Sequence, residues 1–424
     1  MKKTLNINIK QLTRVEGHGN IRIKIRNGKL IDARWEIIET PRFFEKMLIG
    51  RNWDNAPWIT GRICGICSIG HTLASIRAIE NAFKIIPDEQ TQKLRLLLKH
   101  METLQSHSLH LCFLALPDFM NAGSVFPLIK SHNDIIVHAA KIKGLANDLC
   151  DCIGGRRLHP TRTVVGGFTK LPEKEELSVF SKRLSEIVND LTALANLFQG
   201  FKIPDFARET EYVSLKGKKN YPFIGGDIVS SDGVQMKEQN YKKLTNEYTV
   251  KQSTAKWCRL SRNSYAVGAL ARLNNNFQFL HPAAKDVAHR FNLSPLNYNP
   301  FMNNIAQLAE CVHVVMDSIK LIDELLDSKL KEFRHEVKPK SGVGVGAVEV
   351  PRGILYHSYE FDNKGKIVKC DCVIPTGQNH ANIQHDLEAL AQAYAIRGKT
   401  DKEIELLASM LVRAYDPCIS CSVH

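Results

Sequence analysis

From residue 71 to residue 199, apolar side chains recur at three- and four-residue spacing over 71–86, about 90–116, about 130–152 and 174–199, with few internal Gly or Pro. That period predicts long amphipathic helices packed as a bundle. Nearer the amino terminus the period is two. Ile21, Ile23 and Ile25 alternate with polar residues, Asn27-Gly28 offers a tight turn, and Ile31, Ala33, Trp35 and Ile37 alternate on the return, predicting a hairpin with one buried face. Residues 41–50 have a short helical rhythm closed by Gly50. Residues 154–167 form a loop by their Gly and Pro content and lack the spaced glycines of a phosphate-binding turn. Residues 203–262 are polar and irregular with strand-like pieces such as 211–215, and are expected as surface excursions. Helical periodicity returns at roughly 280–336, with Cys311 and His313 toward the core. A hairpin then leads in through 350–357, turns at 362–365 and returns over 368–374, and two helices follow at about 381–396 and 401–414.

These elements predict an α+β fold, predominantly helical, with a long-helix bundle core and small peripheral β hairpins. The expected organisation is a single domain over 1–424: β-rich 1–40, helical bundle 71–200, irregular excursion 203–262, helical 280–336, hairpin 345–375, and C-terminal helices with a cysteine box over 381–424.

Composition narrows the class. A chain of 424 residues that is 44% hydrophobic can bury a large core. No apolar run reaches the roughly 20 residues that span a bilayer, so no transmembrane segment is expected. The formal charge of +13 is spread along amphipathic segments, which points to a solvated surface and acidic partner subunits and away from nucleic acid. Eleven cysteines without an amino-terminal signal argue for a reducing, cytoplasmic setting.

The chemistry concentrates in two stretches, residues 62–71 (RICGICSIGH) and 416–424 (DPCISCSVH), each holding a Cys-x-x-Cys pair. A two-residue gap lets both sulfurs face one ion, and two pairs supply four soft thiolates. Structural zinc is the bland alternative, but ribbons of that kind separate their pairs by roughly 15 to 20 residues, whereas some 350 residues lie between Cys67 and Cys418. His100, His107 and His110 recur on one helix with no carboxylate in the pattern and are expected as packed histidines. Cys370 and Cys372 alternate on a strand and are expected on opposite faces, against a second metal pair. Cys112, Cys150, Cys152, Cys258 and Cys311 do not make an iron–sulfur spacing.

The two boxes, R-x-C-G-x-C-x-x-x-H and D-P-C-x-x-C-x-x-H, together with the R-V-E-G-H run at 14–18, resemble the large, catalytic subunit of nickel-iron hydrogenases over nearly the whole chain. The resemblance implies that Cys64, Cys67, Cys418 and Cys421 bind nickel. It also implies that Cys67 and Cys421 bridge to an iron carrying carbon monoxide and cyanide. Glu16 would take protons from the metals. Glu45, His424 and the Cys372 carbonyl would hold a magnesium or similar ion. Pro351 and Arg352 would overhang the metals, Thr376 would hydrogen-bond a cyanide, and His71, closing the first box, would join in cofactor binding. Many respiratory relatives have an aspartate where this chain has Ser106, so the canopy over the metals differs. The implied reaction is reversible, heterolytic cleavage of dihydrogen, the proton passing to Cys418 or to the Arg352 guanidine. The branch resembled is the cytoplasmic one coupled to nicotinamide, deazaflavin or electron-bifurcating flavin modules. No flavin or iron–sulfur motif remains in this chain, so an obligate iron–sulfur small subunit and further flavin-bearing subunits are expected. A non-catalytic hydrogen sensor is the second expectation, and a structural zinc protein the third.

Overall fold

The computed structural model describes residues 4–424. Its frame is a set of long helices at Ser68–Phe83, Glu89–Leu109, Asn133–Gly154, Lys174–Gln199 and Asn303–Asp327. Glu89–Leu109 packs against Asn133–Gly154 and Asn303–Asp327, and the last of these also packs on Lys174–Gln199. Glu89–Leu109 opens on an Asp88 cap, whose side chain accepts the Thr91 N–H, satisfying an otherwise orphaned donor. The helical run covers the stretch to residue 116 that its periodicity predicts, but it widens into a π-type turn at His110–Ala115 before resuming at Leu116–Phe119.

Ser68–Phe83 lies directly on the strand Gly342–Val350. The approach is so close that a Cβ on Gly344 would sit 1.9 Å from the Ala78 carbonyl oxygen, and one on Gly346 2.2 Å from that of Ala74. Glycine at both positions is therefore what allows helix and sheet to touch. The expected hairpin around 345–375 is in fact a three-stranded antiparallel sheet of Gly342–Val350, Gly353–Phe361 and Ile367–Val373, and Pro351-Arg352 forms the turn between its first two strands.

The amino-terminal sheet adds Leu5–Ile9 to the expected hairpin, pairing antiparallel with Gly19–Arg26. Asn27 and Gly28 both have positive φ, as a tight hairpin turn requires. The alternation expected on Lys29–Ile37 breaks at its start. A bulge sets Leu30 opposite Ile25 and Ala33 opposite Ile23, so Ile31 turns outward and is 56% exposed; one extra residue in a ladder reverses the facing of the residues beyond it.

Three further expectations are corrected. The 203–262 segment is not a surface excursion: Glu211–Lys216 is a buried strand of a four-stranded sheet, and Val213, Leu215, Ile228, Tyr241 and Leu244 build a second core. The helical region at 280–336 is two helices, Pro282–Arg290 and Asn303–Asp327, with 328–341 outside them. Cys370 and Cys372 share a face, since side chains two apart on the strand Ile367–Val373 project the same way. His100, His107 and His110 are buried and hydrogen-bonded, as expected. Among the described residues no helix is long and apolar enough to cross a membrane.

Candidate metal centre

The two cysteine boxes meet although they stand at opposite ends of the chain. The first occupies the turn between the short helix Ala56–Thr60 and Ser68–Phe83, with Cys67 at the latter's amino end. The second follows Asp401–Ala414 through a tight turn at Asp416, whose φ is 49°, and enters the short helix Ile419–Ser422. Arg42 staples them: its guanidinium donates to the carbonyls of Ile63, at 2.7 Å, and Ser420, at 2.6 Å.

All four sulfurs are buried. Cys64 Sγ and Cys418 Sγ lie 3.8 Å apart, and the Cys64, Cys418 and Cys421 sulfurs all fall within 4.8 Å of one another. Cys67 stands beside this trio, its backbone N–H donating to Cys64 Sγ at 3.0 Å. Cys418 and Cys421 are joined as a disulfide; a metal ligand must be a free thiolate, so that bond has to be reduced before four sulfurs can act together. Burial raises the Cys64 pKa. The Cys67 side chain, the Arg352 charge and the amides of Cys67 and Ile66 outweigh it and lower the pKa below the ordinary thiol value. A buried set of soft sulfur donors, one of them more acidic than an ordinary thiol, fits a soft or borderline transition metal.

Glu16 reaches this cluster from the amino-terminal segment. Its carbonyl accepts the Ile419 N–H at 2.9 Å, and its carboxylate accepts the Ser420 N–H at 3.0 Å and the Ser420 hydroxyl. The carboxylate oxygen that takes the Ser420 N–H stands 3.2 Å from Cys418 Sγ, a contact short enough to pass a proton. On another side, Thr376 Oγ1 accepts the Cys418 N–H at 3.0 Å, leaving its own hydroxyl proton to donate.

Arg352 is 3% exposed and donates to Asp416 at 2.8 Å. Burial would lower its pKa, yet Asp416 first, then the Cys67 and Cys64 thiols and Glu16, raise it above the ordinary value. It is a fixed cation. His71 is fully buried, with Nδ1 3.1 Å from His357 Nε2, while its Nε2 has no partner among the described residues. Burial first, then the neighbouring His357, lowers its pKa well below the ordinary imidazole value, so the ring stays neutral.

Glu45, Cys372 and His424 also come together. Glu45 Oε1 accepts the Cys372 N–H at 2.8 Å and lies 3.5 Å from His424 Nε2. A strand residue projects its N–H and C=O toward the same edge, so the Cys372 carbonyl faces the side on which Glu45 sits. Burial raises the Glu45 pKa, but His424 and the Cys372 amide outweigh it and keep the carboxylate ionised. Oxygen donors and one imidazole suit a hard divalent ion.

Sequence reasoning missed Arg42 and Asp416 as working parts. Asp416 was visible inside the second box; Arg42 gave no local signal, because its partners lie 21 and 378 residues away.

Comparison with known proteins gives the chain a family. Residues 42–141 and 230–424 match the nickel-dependent hydrogenase family, and residues 6–40 match a HoxL-like family. The chain is 35% identical over 425 residues to the sulfhydrogenase 1 subunit alpha of Pyrococcus furiosus, covering 99% of this chain and 98% of that one. It is 24% identical over 468 residues to the NAD-reducing hydrogenase HoxS subunit beta of Cupriavidus necator, covering 98% and 94%. Its structure superposes on the crystal structure of an NAD+-reducing nickel-iron hydrogenase in the hydrogen-reduced state with a TM-score of 0.89 at 25% identity, covering 99% of both chains.

Proposed function

The chain belongs to the nickel-dependent hydrogenase family, an oxidoreductase acting on dihydrogen, and from that premise we propose how its residues divide the work. Cys64, Cys67, Cys418 and Cys421 would hold nickel, and Cys67 and Cys421 would also serve an iron bearing carbon monoxide and cyanide. Such a centre supplies heterolytic cleavage of dihydrogen. Glu45, His424 and the Cys372 carbonyl hold magnesium or a similar ion, which pins the carboxy-terminal segment over the cysteines. His71, Pro351 and Thr376 would line the centre, where the free hydroxyl proton of Thr376 could donate to a cyanide.

The proton leaves by Cys418 and Glu16. Of the two acceptors the sequence allowed, the guanidine is the poorer, because Asp416 and the cysteines hold Arg352 as a cation. Arg352 therefore orients and stabilises charge, while the Cys418 sulfur, 3.2 Å from Glu16 Oε2, would hand a proton outward once its disulfide with Cys421 is reduced. That single contact carries the reading. Electrons pass to an iron–sulfur small subunit and on to a flavin or nicotinamide module, in the cytoplasm.

Glu16→Gln preserves size and most hydrogen bonds but cannot carry a proton. The variant should assemble its metals normally, yet exchange of deuterium gas with solvent protons should fall about a hundredfold or more. Exchange at the wild-type rate would assign the relay to another residue.

A further inference from the structure

Arg272, Glu310 and Glu349 have fully buried side chains and converge behind the Pro351-Arg352 turn. Arg272 grips Glu310 twice, Nε to Oε1 at 2.7 Å and Nη2 to Oε2 at 2.6 Å, and donates from Nη1 to Glu349 Oε2 at 2.9 Å. The same terminal nitrogens donate to the carbonyls of Val350, at 2.9 Å, and Pro351, at 3.1 Å. One guanidinium thus ties two carboxylates to the two peptide groups that immediately precede Arg352.

A single carboxylate would balance Arg272, and a second buried one is costly unless it has a task. Glu310 is committed, since it also accepts the Tyr221 hydroxyl at 2.6 Å and pairs with His107 Nε2 at 2.8 Å. Burial opposes its charge, but Arg272 and His107 hold it far below the usual carboxylate range. Glu349 has, beyond Arg272, the Leu215 N–H at 2.8 Å. The charged and titratable groups around it are Arg272 and Glu310, with the phenols of Tyr221 and Tyr356. Burial pushes its carboxyl up to about 7 in spite of Arg272 and the Leu215 amide.

We propose that Glu349 is a positioning residue for the dihydrogen reaction: through Arg272 it fixes the Pro351-Arg352 turn over the cysteines, and the grip slackens when its carboxylate takes a proton. The reason is the division of hydrogens at Arg272 Nη1, one to Glu349 and one to the Val350 carbonyl. A change of charge on the carboxylate is felt at once by the peptide that leads into Arg352. Small misplacements of such a group are enough to cost about a hundredfold in rate. The proposal rests on the role assigned to Arg352 under the proposed function.

The purified holoenzyme complex carrying Glu349→Gln should keep its nickel and iron and an unchanged KM for dihydrogen. Its kcat should lack the rise through about pH 7 and remain at the acid-side value of the wild type, a loss of about tenfold to a hundredfold at alkaline pH. Infrared difference spectra should show one buried carboxyl losing its proton near about pH 7 in the wild type and no such signal in the variant. Glu349→Asp keeps the charge on a shorter arm and should keep the ionisation. A wild-type pH profile in Glu349→Gln, or loss of the ionisation in Glu349→Asp, overturns the proposal. Arg352→Lys with undiminished turnover would instead sink the role of Arg352 itself, whatever Glu349 does.

Discussion

Arg352 shows how far a single side chain's role can be read before its neighbours are known. The motif placed it over the metals, but only the structure pairs it with Asp416 at 2.8 Å and so makes it a cation that does not titrate in the working range. Arg352→Lys keeps one charge and loses the planar fork that reaches Asp416 while facing the cysteines. We expect normal metal content and a turnover reduced about a hundredfold, measured as hydrogen uptake against nickel content. Cys67→Ser acts differently, since a hydroxyl is a poor ligand for a soft metal. That variant should be purified with little or no nickel, and full nickel with normal turnover would refute the ligand set. The meeting of Cys64, Cys418 and Cys421, with Glu16 beside Cys418 and Glu45 beside His424, was legible because their spacing repeats a known pattern. The sharing of a face by Cys370 and Cys372 was misread, although strand parity alone decides it. Glu349, an ordinary acid in a strand by sequence, acquires its meaning only from Arg272, 77 residues away.

At the level of elements, the legible parts were those whose burial follows from their own periodicity. The long helices kept their expected places because each hides one continuous stripe. Glu211–Lys216 was missed because it is buried by partners the local pattern does not announce, pairing antiparallel with Asp227–Ser230 and parallel with Tyr265–Ala266. Ile31 was misplaced by one inserted residue. The contact of Ser68–Phe83 with Gly342–Val350 is the joint that sets the first cysteine box against the Pro351-Arg352 turn. Gly346→Ala would drive a methyl against the Ala74 carbonyl, 2.2 Å away, and should cost about 1 to 3 kcal/mol in denaturant unfolding while also lowering turnover. Unchanged stability would show that the joint yields. Beyond the short helix Ile419–Ser422, the His424 ring is 7% exposed beside Glu45. A tail that cannot be removed should keep this segment from closing, and the protein should carry little nickel; ordinary metal content in an extended chain would count against a buried terminus.

The whole molecule gathers both ends of its sequence around one point, which explains why the metal boxes need the entire fold between them. On the proposed reading its electrons leave through a partner, and we expect a permanent interface with an iron–sulfur subunit, burying roughly 2,000 to 5,000 Å². The isolated chain should fail to reduce a dye with hydrogen, and a single purified chain that does so would remove the need for that partner. The central claim is that four cysteines hold nickel and an iron with diatomic ligands. One infrared spectrum of the purified complex in the triple-bond region tests it most directly. The account predicts bands of metal-bound carbon monoxide and cyanide that shift when hydrogen is admitted; a blank region from protein carrying its full metal content, with zinc bound to the four cysteines, would contradict it.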